Sequence, residues 1–143
     1  MIPFRLAFRP GISLYEQVVY AAKRAAVVSG KMRPGEPFPS VRALSKELKI
    51  NPNTAHKVVA QLTAEGLLEV RVGVGTGIAP LRPATANEKS QLLKDEMEQL
   101  VVEAKKLGME LDDVLRAVSR HWKRLATDAE QTIELAKGGL GHK

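Results

Sequence analysis

The stretch EPFPSVRALSKELKINPNTAHKVVAQLTAEG, residues 36–66, constrains this chain more than any other. Its spacing predicts two short helices joined by a tight turn. Asn51 is placed as N-cap of the second helix, where its side-chain oxygen can accept a free amide of the first turn. Pro52 follows at the first helical position, where a missing N–H costs nothing. Ala55, Val58, Val59 and Leu62 recur at helical spacing and mark one buried stripe. Asn53, His56, Lys57 and Gln61 are left facing out, with side chains suited to base edges or phosphates. Gly66 ends the helix at the position that favours φ > 0. Ser40 caps the preceding helix, whose buried residues are Val41, Leu44 and Leu48. Lys49 and Ile50 make the link, and so short a turn is what a helix-turn-helix needs.

Charge supports that reading. The net charge is +6, unevenly spread. Residues 1–83 hold 12 Lys/Arg against 5 Asp/Glu, a net of +7, and residues 84–143 hold 10 against 11, a net of −1. A basic half joined to a neutral half is the electrostatic footprint of a nucleic-acid-binding domain with a partner domain. With 44% hydrophobic residues in 143, a true core is expected. The chain has no cysteine, which excludes disulfides, thiolate nucleophiles and Cys-type metal sites. The N-terminus has no apolar run like a signal peptide and no stretch reaches membrane-spanning length, so a cytoplasmic protein with no membrane partner is expected.

Residues 1–12 read as extended; Arg5 and Arg9 could touch phosphate, but a plain lead-in strand is favoured. Ser13-x-x-Glu16 is a capping box that opens a helix of about 16 residues, closed by Gly30. Tyr15, Val18, Val19, Ala22 and Ala26 form its inner face. The proline-rich link KMRPGEPFP cannot be helix, and its Met32 and Phe38 are expected in the core. After Gly66 the period changes: LLEVRV alternates as a strand, GVGTG reads as the turn and TGIAP as the return strand, a β-hairpin wing. The glycine run is not a nucleotide loop, because such a loop needs a helix after it and Ile78-Ala79-Pro80 follows here.

Leu81 to Ala86 reads as a linker. In the next helix Leu93, Met97, Leu100, Ala104 and Leu107 form a seam, broken at Gly108. In the last, Leu111, Leu115, Val118, Trp122, Leu125, Ala129 and Ile133 form another. A helical hairpin is expected, with Trp122 in its packed seam. Surplus apolar residues beside the seams, Leu92, Val101, Val102, Val114 and Leu135, argue for a second chain. The tail GGLGHK is expected to be unstructured. No catalytic constellation is present. His56, His121 and His142 sit apart without a partner ligand, and the adjacent Asp112 and Asp113 point apart on a helix. No enzyme activity, metal or cofactor is expected.

The residues Leu14-Tyr15-x-Gln17, Pro34-Gly35, Pro39-Ser40-x-Arg42, Asn51-x-x-Thr54, Glu65-Gly66 and Gly73-x-Gly75-Thr76 occur in order. Over about residues 8–80 the chain resembles the winged helix-turn-helix domain of the GntR family of bacterial transcription regulators. The short region after residue 84, with Asn51-Pro52-Asn53-Thr54, is similar to the YtrA-like branch. That resemblance implies a small helical dimerisation region and local repression. It implies that Arg42 approaches bases or phosphates, that Ser40 and Thr54 hold phosphates, and that Gly75 enters the minor groove. Pro52 departs from an arginine common in other branches, and Gly77 stands where an aromatic is common. His56 and Lys57 occupy positions that vary among branches.

The expected fold is therefore mainly α with a small β-hairpin. Residues 1–80 form a winged helix-turn-helix DNA-binding domain and residues 84–137 a two-helix dimerisation region. The expected partner is double-stranded DNA, bound by a homodimeric repressor at a palindromic operator through Ser40, Arg42, Asn53, Thr54, His56, Lys57, Arg71, Gly75 and Thr76. Met97, Leu100, Leu115, Val118, Trp122 and Leu125 are placed at the dimer interface. A small-molecule effector is left open, with the dimer interface as its place. The alternatives are a protein-interaction adaptor, or an RNA-binding winged helix. The charge split favours nucleic acid, and a two-fold dimer favours palindromic DNA.

Overall fold

The described residues of the computed structural model are 2–4, 6–30 and 32–141, with Ser29 and residues 127–141 described by their backbone alone. They group into two units. One is Met1–Leu81 with Asp128–Lys143 and the other is Arg82–Thr127. Arg5, His142 and the side chains of Ala129, Ile133 and Leu135 lie outside the description.

Ser13 caps the first helix, α1 (Leu14–Arg24), accepting the Glu16 amide at 3.0 Å. The helix continues through a π-helical turn, Ala25–Ser29, to Gly30 at φ 67°. Val18, Val19 and Ala22 are buried as the apolar spacing requires. Ala25 continues the 4- and 3-residue steps from Val18 and Ala22 and is buried, whereas Ala26, placed on the inner face by the sequence, is only half-buried. Ser40 caps α2 (Val41–Leu48), accepting the Ala43 amide. Asn51 caps α3 (Pro52–Ala64), accepting the Asn53 amide at 2.7 Å. Helix α3 ends in a Schellman motif: Leu67 N–H donates to the Leu62 carbonyl and Gly66 N–H to that of Thr63, with Gly66 at φ 79°. Helices α1 and α2 both pack on α3. The fully buried side chains Val18, Leu44, Val58 and Leu62 fill the space between them. Truncating either leucine to alanine would cost about 2–5 kcal/mol.

The wing differs in detail from the sequence expectation. Its strands are β1 (Leu68–Arg71) and β2 (Gly75–Ile78), antiparallel, with Arg71 opposite Gly75 and Leu68 opposite Ile78. The turn is thus Val72-Gly73-Val74, and Gly75 to Gly77 belong to the return strand. Residues 35–38, read only as a proline-rich link, pair with β2 on its other side. The amides of Gly35 and Phe38 donate to the carbonyls of Ile78 and Thr76, and Ile78 N–H donates to Glu36 O. Pro37 stands opposite Gly77 in a non-hydrogen-bonded pair, where its missing N–H leaves nothing unsatisfied. Such pairs come close, which explains the glycine: a Cβ on Gly77 would lie 3.3 Å from Glu36 O.

Gln17 and Phe4 help hold the N-terminal arm. Gln17, the buried polar residue of α1, accepts the Arg9 amide at 2.8 Å and donates to the carbonyls of Arg9 and Ile12. Phe4 stacks on Phe38 with ring centroids 6.3 Å apart.

In the second unit Thr85, within the segment read as linker, forms a capping box with Glu88 for α4 (Ala86–Gln91). A π-helical stretch, Leu92–Glu96, joins it without a break to α5 (Met97–Lys106). Gly108, at φ 72°, ends that run, and α6 (Leu111–Gly141) follows. The backbone of α6 stays helical past Gly138, contrary to the expected unstructured tail. Glycine costs a helix about 1 kcal/mol relative to alanine, which is not a prohibition. Among the described side chains the expected hairpin seam is not sealed. Ala104 is buried, but Leu93, Leu107, Leu111 and Leu115 are exposed, and Trp122 is 77% exposed rather than packed. The unit is too small to cover the apolar faces of both helices.

Candidate nucleic-acid interface

The helix pair presents its polar side chains from two capped helix starts. On α3, Asn53, His56 and Lys57 are exposed, while Thr54 is half-buried. Asn51 is occupied as the cap, so Asn53, and not Asn51, offers a free amide side chain at this end. On α2, Arg42 is exposed in the first turn, two residues after the Ser40 cap. Ser40 Oγ accepts the Ala43 amide, and its own O–H remains a donor for phosphate. Lys46 lies four residues beyond Arg42 on α2 and is also exposed. The i, i+4 spacing puts the two cations on one face. That signal was present in the sequence and extends the expected set by one residue.

The turn between the helices is tight because Lys49 adopts a left-handed conformation, φ 55°. It is the one non-glycine with positive φ among the described residues. The Lys49 and Ile50 amides both donate to the Ser45 carbonyl, and Ser45 Oγ donates to Ile50 O at 2.7 Å. Ile50 is thereby buried and the entry angle of α3 is fixed.

On the wing, Arg71 and Gly75 are register partners, and Thr76 is opposite Val70. Gly75, at φ 102°, leaves open space at its α-carbon. Arg71 is engaged by Glu69 on the same strand. A partner for Arg71 was not anticipated, although i, i+2 spacing on a strand places both on one face.

A second ion pair ties α1 to the end of α3: Lys23 Nζ lies 2.6 Å from Glu65 Oε1, and Gln61 donates to Glu65 Oε2. Partial burial pushes the Glu65 carboxyl up. The hydrogen bonds from Lys23 and Gln61, with the Lys23 charge, outweigh that and hold it below the ordinary range.

In the second unit the interface candidates Met97, Leu100, Leu115, Val118 and Trp122 are exposed and Leu125 is half-buried. Among the described residues no group of His, Asp or Glu could hold a metal ion. No helix among them is long and apolar enough to cross a membrane.

Residues 14–78 match the family model described as "Bacterial regulatory proteins, gntR family". The chain is 35% identical over 105 residues to the HTH-type transcriptional repressor YtrA of Bacillus subtilis (strain 168), covering 73% of this chain and 80% of that protein. Its fold is similar to that of a transcriptional antiterminator from Listeria monocytogenes EGD-e, with TM-score 0.74, 22% identity, and 86% and 92% of the two chains covered. A transcriptional regulator from Oenococcus oeni is similar at TM-score 0.52 and 25% identity, with 82% and 97% covered.

Proposed function

The chain belongs to the GntR family of bacterial regulatory proteins, and from that premise we propose that it is a repressor acting as a homodimer on a palindromic operator. Membership makes it a DNA-binding transcription regulator and not an enzyme, which removes the adaptor reading. We assign residues 1–80 to DNA and residues 84–137 to dimerisation, in the cytoplasm.

The observation that carries the reading is the exposed face of α3, where Asn53, His56 and Lys57 project from a helix fixed at its start by Asn51 and at its end by Gly66. A helix held in this way can present side chains to a major groove without further ordering. Arg42 and Lys46 on α2 supply phosphate contacts beside it. Ser40 and Thr54 stand at helix starts, where amide dipoles favour anions. Arg71, Gly75 and Thr76 belong to the wing. Dimerisation is supported by the apolar faces of α5 and α6, where Met97, Leu100, Leu115, Val118 and Trp122 are exposed among the described residues. Two linked reading heads meet the second half-site at high effective concentration. The relative named as a repressor supports the direction of regulation.

Titration of a duplex from the gene's own promoter over a range of salt tests the DNA half of this reading. Log K is expected to fall steeply with log salt, at about −0.9 per phosphate neutralised. Flat binding would defeat it. Sedimentation tests the rest: a monomer at micromolar concentration would remove the dimer.

A further inference from the structure

A groove of about 800 Å³ runs between the N-terminal arm and α1. That volume is in the range that takes a small organic molecule. Phe4, Leu6 and Ile12 line it from the arm, and Gln17, Ala21 and Ala25 line it from the helix. The two alanines end at Cβ and leave room that a longer side chain would fill. Gln17 ties helix to arm through the backbone groups of Arg9 and Ile12. Glu16, Tyr20 and Arg24 follow at four-residue steps along the helix and form the rim, with Tyr20 61% exposed. The walls are therefore mainly apolar and the charges lie at the edge. The described ionisable side chains of acid or base lining it are Arg9, Arg24 and Glu16, two guanidiniums against one carboxylate.

We propose that this groove binds a small organic anion, its apolar body between arm and helix and its carboxylate or sulfonate at Arg9. The balance of lining charge sets the sign of the ligand. Arg9 is the anchor because its backbone is held on both sides: its N–H donates to Gln17 Oε1, and its carbonyl accepts from Gln17 Nε2. The guanidinium thus springs from a fixed point, which lowers the ordering cost of meeting an anion. Arginine also meets a carboxylate through paired hydrogen bonds of defined geometry. The site goes beyond the DNA-binding reading, since it shares no residue with the DNA set or with the dimer candidates. Phe4 links it to the rest of the first unit. Its ring stacks on Phe38, whose amide donates to Thr76 of the wing, so a ligand in the groove touches the ring that backs the approach to α2.

The test uses the full-length chain and anilinonaphthalene sulfonate, an aromatic anion of this class, followed by amide NMR and by fluorescence. Addition of the probe is expected to shift the amides of Leu6, Arg9, Tyr20 and Ala21. R9E should bind it about tenfold more weakly, because an attraction is replaced by a repulsion, and R9K should stay near wild type. The uncharged analogue phenylnaphthylamine should bind wild type and R9E alike. A21L fills the groove and should abolish the shifts at Leu6 and Tyr20 for both probes. Arg9 is exposed, so R9E should keep the wild-type thermal midpoint and carries the test even if A21L folds poorly. Shifts confined to the exposed faces of α5 and α6, or no shifts at millimolar probe, overturn the proposal. So does equal binding of the anionic probe by wild type and R9E. A changed sedimentation coefficient for R9E would also overturn it, by showing that the groove is a contact between copies.

Discussion

Arg71 places both Nε and Nη2 on a single carboxylate oxygen of Glu69, at 3.0 and 2.7 Å. The guanidinium is thereby oriented, and its charge is partly cancelled just behind the wing tip. Replacing Glu69 with Gln frees Arg71 for phosphate and removes a repulsive charge. E69Q is expected to bind operator DNA several-fold more tightly, with a salt slope steeper by about one per wing. Salt titration of wild type and E69Q decides it, and an unchanged slope would mean that Arg71 does not meet phosphate.

Arg42 is exposed on α2, and nothing in the core depends on it. R42A should fold normally and lose specific binding. Each arginine contact is worth about 1–3 kcal/mol and is felt twice in a dimer. A footprint of R42A equal to that of wild type would remove the residue from the interface.

Lys49 holds φ 55° in the inter-helix turn, a conformation that costs an L-residue roughly 1–2 kcal/mol. Its side chain is exposed, so K49G relieves that cost without creating a cavity. The greater freedom of glycine in the unfolded chain offsets part of the gain. A net stabilisation of about 0.5–1 kcal/mol is expected in urea unfolding. A destabilised K49G would show that the Lys49 side chain itself holds the turn.

The Lys23–Glu65 pair makes a stability prediction with a definite sign. The Glu65 carboxyl is held below its ordinary range in the fold. Its contribution is therefore present above the unfolded glutamate value, about 4.3, and is lost as pH falls through the folded value. K23M should lower stability by about 0.5 kcal/mol at pH 7, in keeping with a partly exposed pair. The difference between K23M and wild type should fade at pH 3. A gap that stays constant from pH 7 to 3 would assign the effect to packing instead.

Sequence reasoning succeeded where the signal is local. Ser13, Ser40 and Asn51 act as the expected caps, and the spacing of Val18, Leu44, Val58 and Leu62 marks the core. It failed where the cause lies far along the chain. The pairing of residues 35–38 with β2 joins segments about 40 residues apart, and its prolines read locally as punctuation. Gln17 stood out only as part of the family pattern, and its role was not legible because its partners are backbone groups of an irregular arm. Ala25 is buried and Ala26 only half-buried, because both fit helical spacing from Ala22 and periodicity alone does not choose between them. Trp122 failed for a different reason: heptad spacing marks a residue that wants cover without saying which chain supplies it.

The strand at residues 35–38 has a consequence for engineering. It immediately precedes α2, and the hairpin it joins immediately follows α3, so residues 39–67 leave and re-enter the same small sheet: Phe38 N–H donates to Thr76 O, and Ala79 N–H donates to Leu67 O. The reading head is thus an insert with its two ends zipped to a common base, the arrangement in which foreign segments of matching length are accepted without disturbing the host. Grafting residues 39–67 from a relative, with the buried positions Leu44, Ile50, Val58 and Leu62 retained, should transplant operator preference into this chassis while the melting temperature stays within a few degrees.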